Sequence, residues 1–133
     1  MEFKELTLEE LIQGYVRLDE EQAYQCIFCG EKFEEGLIYT SRGRFVSAHR
    51  AMQEHLFDEH GGVFESLLEM DKQVNGLSDS QKEVLEGMYR QKDNKALCEA
   101  MSISAATVRT HKFNLQKMKR EARVFLAIME QIE

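Results

Sequence analysis

The stretch Asn94–Lys119, "NKALCEAMSISAATVRTHKFNLQKMK", decides how the second half of this 133-residue chain folds. Leu97, Cys98 and Met101 fall on one side of a helix over 94–101, and Asp93 stands ready to cap its start. Ser102-Ile103-Ser104 then reads as a three-residue turn, with Ser104 placed to cap a third helix. Upstream, Val84, Leu85, Met88 and Tyr89 fall at i, i+1, i+4 and i+5, a helical stripe over 79–89. Ser78 or Asp79 can cap it, with Glu83 close behind. A short helix, a tight turn and a capped basic helix make a helix-turn-helix, whose second helix lies in the major groove of DNA.

The third helix has its own pattern. Val108, His111, Leu115, Met118, Ala122, Phe125, Met129 and Ile132 repeat at alternating steps of three and four, a heptad-type seam. No Gly or Pro interrupts 105–132, so one helix of roughly 40 Å is expected at ~1.5 Å per residue. Its first half should pack on the helix-turn-helix core. After Arg120 the stripe widens as Val124, Leu126 and Ile128 join it, and so much apolar surface asks for cover, by a second copy of the helix or by the N-terminal half of the chain. Opposite the seam lie Arg109, Thr110, Phe113, Gln116 and Lys117. Arg109 suits a bidentate pair with guanine and Thr110 a thymine methyl. Phe113 has two readings, a thymine methyl or the other half of the protein. Lys95, Lys112, Lys117 and Lys119 suit phosphates, which supply affinity without sequence information.

Charge is divided along the chain in the same sense. The whole carries -7, but residues 1–87 hold 8 Lys/Arg against 19 Asp/Glu, net -11. Residues 88–123 hold 9 against 3, net +6. A nucleic-acid surface joined to an acidic companion module has this asymmetry, as does a helix with a merely solvated basic face.

The run "LSDSQKEVL…NKALCEAMSISAATVRTHKFNLQKM" resembles the LuxR/NarL-type helix-turn-helix of bacterial transcription regulators. Leu77, Val84 and Leu85 match that family's first helix, and Asn94 and Lys95 its N-K pair. Ile103, Ser104, Thr107, Val108, Arg109 and His111 match its turn and recognition helix. The resemblance implies binding to double-stranded DNA, here through Lys95, Ser104, Thr107, Arg109, Thr110, Lys112, Phe113 and Lys117. It also implies a homodimer joined through the last helix, with Ala122, Phe125, Met129 and Ile132 at the contact. Two departures stand out. Ser102 replaces the usual turn glycine, which strains the turn, and Lys119-Arg120 replaces a Leu-Gly break. Cys98 matches the family's small alanine and reads as a small buried hydrophobe rather than a redox thiol; His111, on the seam, reads as a packed histidine.

The N-terminal half carries "CIFCGEKFEEG" from Cys26 to Gly36, then "SAHRAMQEHLFDEHGG". Cys26-x2-Cys29-x25-His55-x4-His60 supplies two sulfurs and two imidazoles, a closed tetrahedral set for a structural Zn2+. Three cysteines, two of them three positions apart, suit a metal site in a reducing compartment better than a disulfide framework. The intervening chain can hold strands at Leu37–Thr40 and Phe45-Val46, and Ser47 can cap a helix carrying Ala51, Met52, His55 and Leu56 that ends at Gly61-Gly62. His49 lies six positions from His55, on a poorly matched face, so His60 is the better fourth ligand. The half is also similar to a Cys-x-x-Cys…His-x4-His segment found ahead of LuxR-type motifs in a group of bacterial regulators, which matches the same four ligands.

Four protein ligands leave no open coordination position, and "HLFDEH" is not H-E-x-x-H. Neither a Gly-rich phosphate loop nor a dinucleotide fingerprint is present, so no enzyme is expected and no small-molecule substrate is evident. The longest apolar run, Val124 to Met129, is far below the ~20 residues of a membrane span. Residues 1–10 carry four glutamates and no apolar core of a signal peptide, so a cytoplasmic protein is expected.

The expected fold is mainly α with a small β element. A zinc-stabilised α+β module (1–62) is followed by a linking helix (63–76, helical from Val63 to Val74). An all-α LuxR-like helix-turn-helix (77–133) with a long C-terminal helix completes it. The expected function is sequence-specific DNA binding as a transcriptional regulator. The competing class is a zinc-dependent protein-interaction module that keeps the helix-turn-helix shape without binding DNA.

Overall fold

A computed structural model describes residues 3–133, which divide into two compact units, 3–70 and 71–133. The first unit opens with a 3-10 turn and a short helix α1 (Leu8–Gln13), capped by Thr7 in a reciprocal box with Glu10. A three-stranded antiparallel sheet follows, in the order β1 (Tyr15–Leu18), β2 (Ala23–Cys26), β3 (Lys32–Glu34). Tyr15 pairs with Cys26 and Ala23 with Glu34. A separate hairpin joins β4 (Tyr39–Ser41) to β5 (Arg44–Val46). Its two turn residues, Arg42 and Gly43, both have positive φ (53° and 76°), the twist a two-residue hairpin requires.

Helix α2 (Ala48–His60) starts at the Ser47 cap, as its sequence implies, and stops at Gly61 in the left-handed region. Gly61 and Gly62 return their N–H groups to Phe57 and Leu56, so the last-turn carbonyls are satisfied. Cys26, Met52 and Leu56 form the core against which Tyr15, Tyr24, Phe28, Phe33 and Val63 pack. One acid is buried with it. Glu54 is 4% exposed, and its carboxylate takes Arg44 and, at 3.0 Å, Arg50. With the Arg42–Asp58 pair at 2.9 Å, these bonds tie the β4–β5 hairpin to α2. The Ser41 hydroxyl, together with the guanidinia, holds the Glu54 carboxyl below the usual carboxylate range despite its burial.

The stretch expected as one linking helix is two: α3 (Val63–Leu68) and α4 (Lys72–Asn75). Asp71 explains the break. It caps α4 by accepting the Gln73 N–H at 2.8 Å, which requires a non-helical backbone at the cap itself. The β content is small and antiparallel, as expected, and the sheet β1 to β3 adds to the β4–β5 hairpin at positions where no strand was expected.

In the second unit, α5 (Asp79–Tyr89), α6 (Asn94–Met101) and α7 (Ala105–Glu130) pack together. Ser78, Asp93 and Ser104 are the caps, and Gln81 rather than Glu83 closes the box with Ser78. Val84, Leu97, Val108 and Leu115 are the buried side chains joining the three helices. Gly87 is what lets α5 and α6 approach: a Cβ there would stand 2.3 Å from Leu97 Cδ2. Ser102 adopts the left-handed conformation (φ 56°, ψ 44°) that a turn glycine would take, and its N–H closes α6 on the Cys98 carbonyl. Helix α7 runs unbroken for 26 residues.

Candidate metal centre and candidate nucleic-acid interface

Strand β2 ends in Cys26, and the chain doubles back so that Gly30 N–H donates to the Cys26 carbonyl (3.0 Å) and Cys26 N–H to the Glu31 carbonyl (2.9 Å). Gly30 has φ 82°, which the reversal needs. The Phe28 N–H points at Cys26 Sγ from 3.4 Å. Helix α2 brings His55 and His60 to the same place from the other side. Cys26, Cys29, His55 and His60 thus converge, with all four donor atoms within 4.8 Å of one another. Cys26 Sγ is 3.5 Å from His60 Nε2, Cys29 Sγ is 3.2 Å from His55 Nε2, and the two Nε2 atoms are 3.2 Å apart.

These spacings test what the set can hold. With metal–sulfur bonds of ~2.3 Å and metal–nitrogen bonds of ~2.0–2.1 Å, a tetrahedron has S···N edges of roughly 3.5 Å and an N···N edge of roughly 3.3 Å. The two S···N edges and the N···N edge given above lie within a few tenths of an ångström of these values, and no other edge exceeds 4.8 Å. Burial pushes the Cys26 thiol up from its ordinary value, and burial and the neighbouring His55 push His60 down. The first shift opposes negative charge on the thiol and the second positive charge on the imidazole, and a divalent cation at this place would compensate the thiolates. Phe28 packs on the His60 ring and Phe33 on the His55 ring, each at 5.6 Å. His49 is outside the cluster and bonds the Tyr15 hydroxyl at 2.9 Å instead.

The other site lies on α6 and α7. Ser104 caps α7 by accepting the Thr107 N–H (3.1 Å), and the two hydroxyls bond each other at 2.9 Å. Thr110 donates its hydroxyl to the Ala106 carbonyl. The Arg109 side chain is exposed and has no ion pair or hydrogen bond among the described residues. Phe113 is 64% exposed. Lys95 is exposed on α6, and Lys117 is exposed with a long 3.8 Å contact to Glu121. Lys112 differs from the other lysines: half-buried, it donates to Asn94 Oδ1 at 2.5 Å and pins α7 to the start of α6. His111 is half-buried beside Val108 and Leu115.

Residues 75–130 match the family model described as bacterial regulatory proteins, luxR family. This segment is a LuxR-family helix-turn-helix domain. Comparison with curated proteins and with solved structures found no match for the chain. Within the LuxR-family domain, the heptad seam changes character along α7. Val108 and Leu115 are buried, whereas Ala122 and Phe125 (63%) are exposed and Met129 is half-buried; Ile132, expected to close the seam, lies past the end of α7 at Glu130 and is exposed. Val124, Leu126 and Ile128 are exposed beside them. No helix among the described residues is long and apolar enough to cross a membrane.

Two residues that matter to these sites went unread in the sequence. Gly87 had a signal, a glycine in the middle of a helical stripe, where it costs about 1 kcal/mol against alanine unless packing demands it. Glu31 had only its place beside the knuckle.

Proposed function

We propose that this chain is a sequence-specific, dimeric DNA-binding regulator of transcription whose N-terminal unit is held by a structural zinc ion. The observation that carries the reading is the start of α7 in a LuxR-family domain. A capped helix follows a tight turn and presents Arg109, without an internal partner, beside exposed Thr107, Thr110 and Phe113. Arg109 reads guanine through two hydrogen bonds. Thr110 has its hydroxyl engaged on the helix backbone and offers its methyl to thymine. Lys95 and Lys117 take phosphates, and Ser104 and Thr107 sit at the groove end of the helix. Lys112 works through Asn94, as a brace for the α6–α7 angle.

The soft, tetrahedral S2N2 donor set supports zinc over magnesium or calcium. A full set of protein ligands supports a structural role and no catalysis. A unit of 70 residues has a marginal core for which such a clasp contributes folding energy directly. The open stripe around Phe125 supports self-association of α7. The protein acts in the cytoplasm, beside DNA and where thiols stay reduced.

Selection from random-sequence duplexes, followed by salt titration, tests the reading. Arg109→Ala should cost ~1–3 kcal/mol on the selected site and relax preference at one position. Lys117→Ala should weaken all sequences about equally and lower the salt slope by roughly one. Absence of binding at low salt would refute the reading and leave the interaction module.

A further inference from the structure

The knuckle and the histidine helix are separate elements, and a metal needs both held in one geometry. Glu31 touches both. Its backbone carbonyl accepts the Cys26 N–H at 2.9 Å and so closes the knuckle. Its carboxylate Oε2 lies 3.4 Å from His55 Nδ1, the ring nitrogen that faces away from the cluster. An imidazole that gives Nε2 to a metal keeps its proton on Nδ1. At 3.4 Å the carboxylate stands at ion-pair distance from that nitrogen, and drawn onto its proton when a metal takes Nε2 it would fix the tautomer and the ring rotation and make Nε2 the stronger donor. The other imidazole lacks this arrangement: His60 has no ion pair among the described residues and is buttressed by the Phe28 ring.

We propose that Glu31 is the positioning residue of the metal centre, the outer-shell carboxylate that orients His55 and locks the cysteine knuckle to α2. The inference rests on the zinc reading above. It makes the two histidines unequal, His55 being held from behind and His60 only from its face.

The test compares zinc affinity, by competition with a chromophoric chelator, in the full-length protein and its variants. Glu31→Ala keeps the backbone bond that closes the knuckle and should lose ~10–100-fold in affinity. Glu31→Gln, which keeps an acceptor without the charge, should fall between. Glu59→Gln is the control for bulk charge, because Glu59 adjoins His60 in sequence and acts on it through space without bonding it; it should change affinity less than threefold. In nitrogen-edited spectra of the zinc-saturated protein, the His55 Nδ1 proton should be slow to exchange in the parent and lost to exchange in Glu31→Ala. The thermal midpoint of zinc-saturated Glu31→Ala reports whether the fold survives. Equal affinity in parent and Glu31→Ala overturns the inference, as does an equal loss in Glu59→Gln. A parent protein that binds no zinc overturns the metal reading and this inference with it.

Discussion

Gly87→Ala isolates the contact that sets the spacing of the helix-turn-helix. The added methyl carbon would meet Leu97 Cδ2 at 2.3 Å, Cγ at 3.1 Å and Cδ1 at 3.3 Å. Carbon atoms prefer about 3.5–4.0 Å, so the nearest contact is short by more than an ångström. Leu97 is 1% exposed and has nowhere to swing. Overpacking of this kind costs ~1–3 kcal/mol, and the better helix propensity of alanine returns ~0.8–1.0 kcal/mol. The net destabilisation is therefore expected at about 1 kcal/mol. For a unit of 63 residues that lowers the thermal midpoint by ~4–8 °C. Circular dichroism melts would read it, and a double-mutant cycle would locate it. Leu97→Val removes both δ-carbons, so the pair Gly87→Ala/Leu97→Val should be more stable than the single losses sum to, by ~1 kcal/mol. A stabilising Gly87→Ala, or strict additivity in the cycle, would refute the close approach as the reason for this glycine.

Ser102→Gly should raise the same midpoint by a few degrees: it relieves ~1–2 kcal/mol of left-handed strain, against the ~0.5–1 kcal/mol of extra chain entropy that glycine loses on folding. A variant no more stable than the parent would show that Ser102 carries no strain. Phe125→Glu puts a charge on the open stripe of α7 and should sediment as a monomer with its zinc content unchanged; a parent already monomeric at micromolar concentration would sink the dimer. Finally, Arg17 and the Tyr24 hydroxyl hold the Glu35 carboxyl below its ordinary value. The folded pKa is thus lower than the unfolded one, so this stabilisation is present at neutral pH and lost as the pH falls through the folded value. The stability gap between parent and Glu35→Gln in urea melts should narrow on acidification, and a gap that stays constant would contradict the assignment.

Local chemistry made much of this protein legible. Ser47, Ser78, Asp93 and Ser104 each cap a helix within three residues of themselves, so their signal lies wholly in short windows. The spacing of the candidate ligands was equally local at each end, with two residues between the cysteines and four between the histidines. The β1–β2–β3 sheet was not visible in the same way. Its strands are three or four residues long, too short for alternation to stand out, and pairings such as Ala23 with Glu34 are set by register across the sheet. Lys112 read as a free cation because Asn94, its partner, is 18 positions away. The break between α3 and α4 did have a local sign in Asp71, which an apolar rhythm running from Val63 to Val74 masks.

The absence of any break in α7 has a geometric consequence. With ~3.6 residues per turn, every residue between Leu115 and Phe125 contributes about 100° to the angle between the buried stripe and the open one. A hinge would absorb a change in length, but a continuous helix converts it into rotation. One inserted residue swings the distal stripe by roughly 100°, whereas seven return it to within about 20° of its original heading. The bearing of the C-terminal stripe relative to Arg109 is therefore encoded as a residue count, and length changes in this segment are tolerable only in phase with the helix.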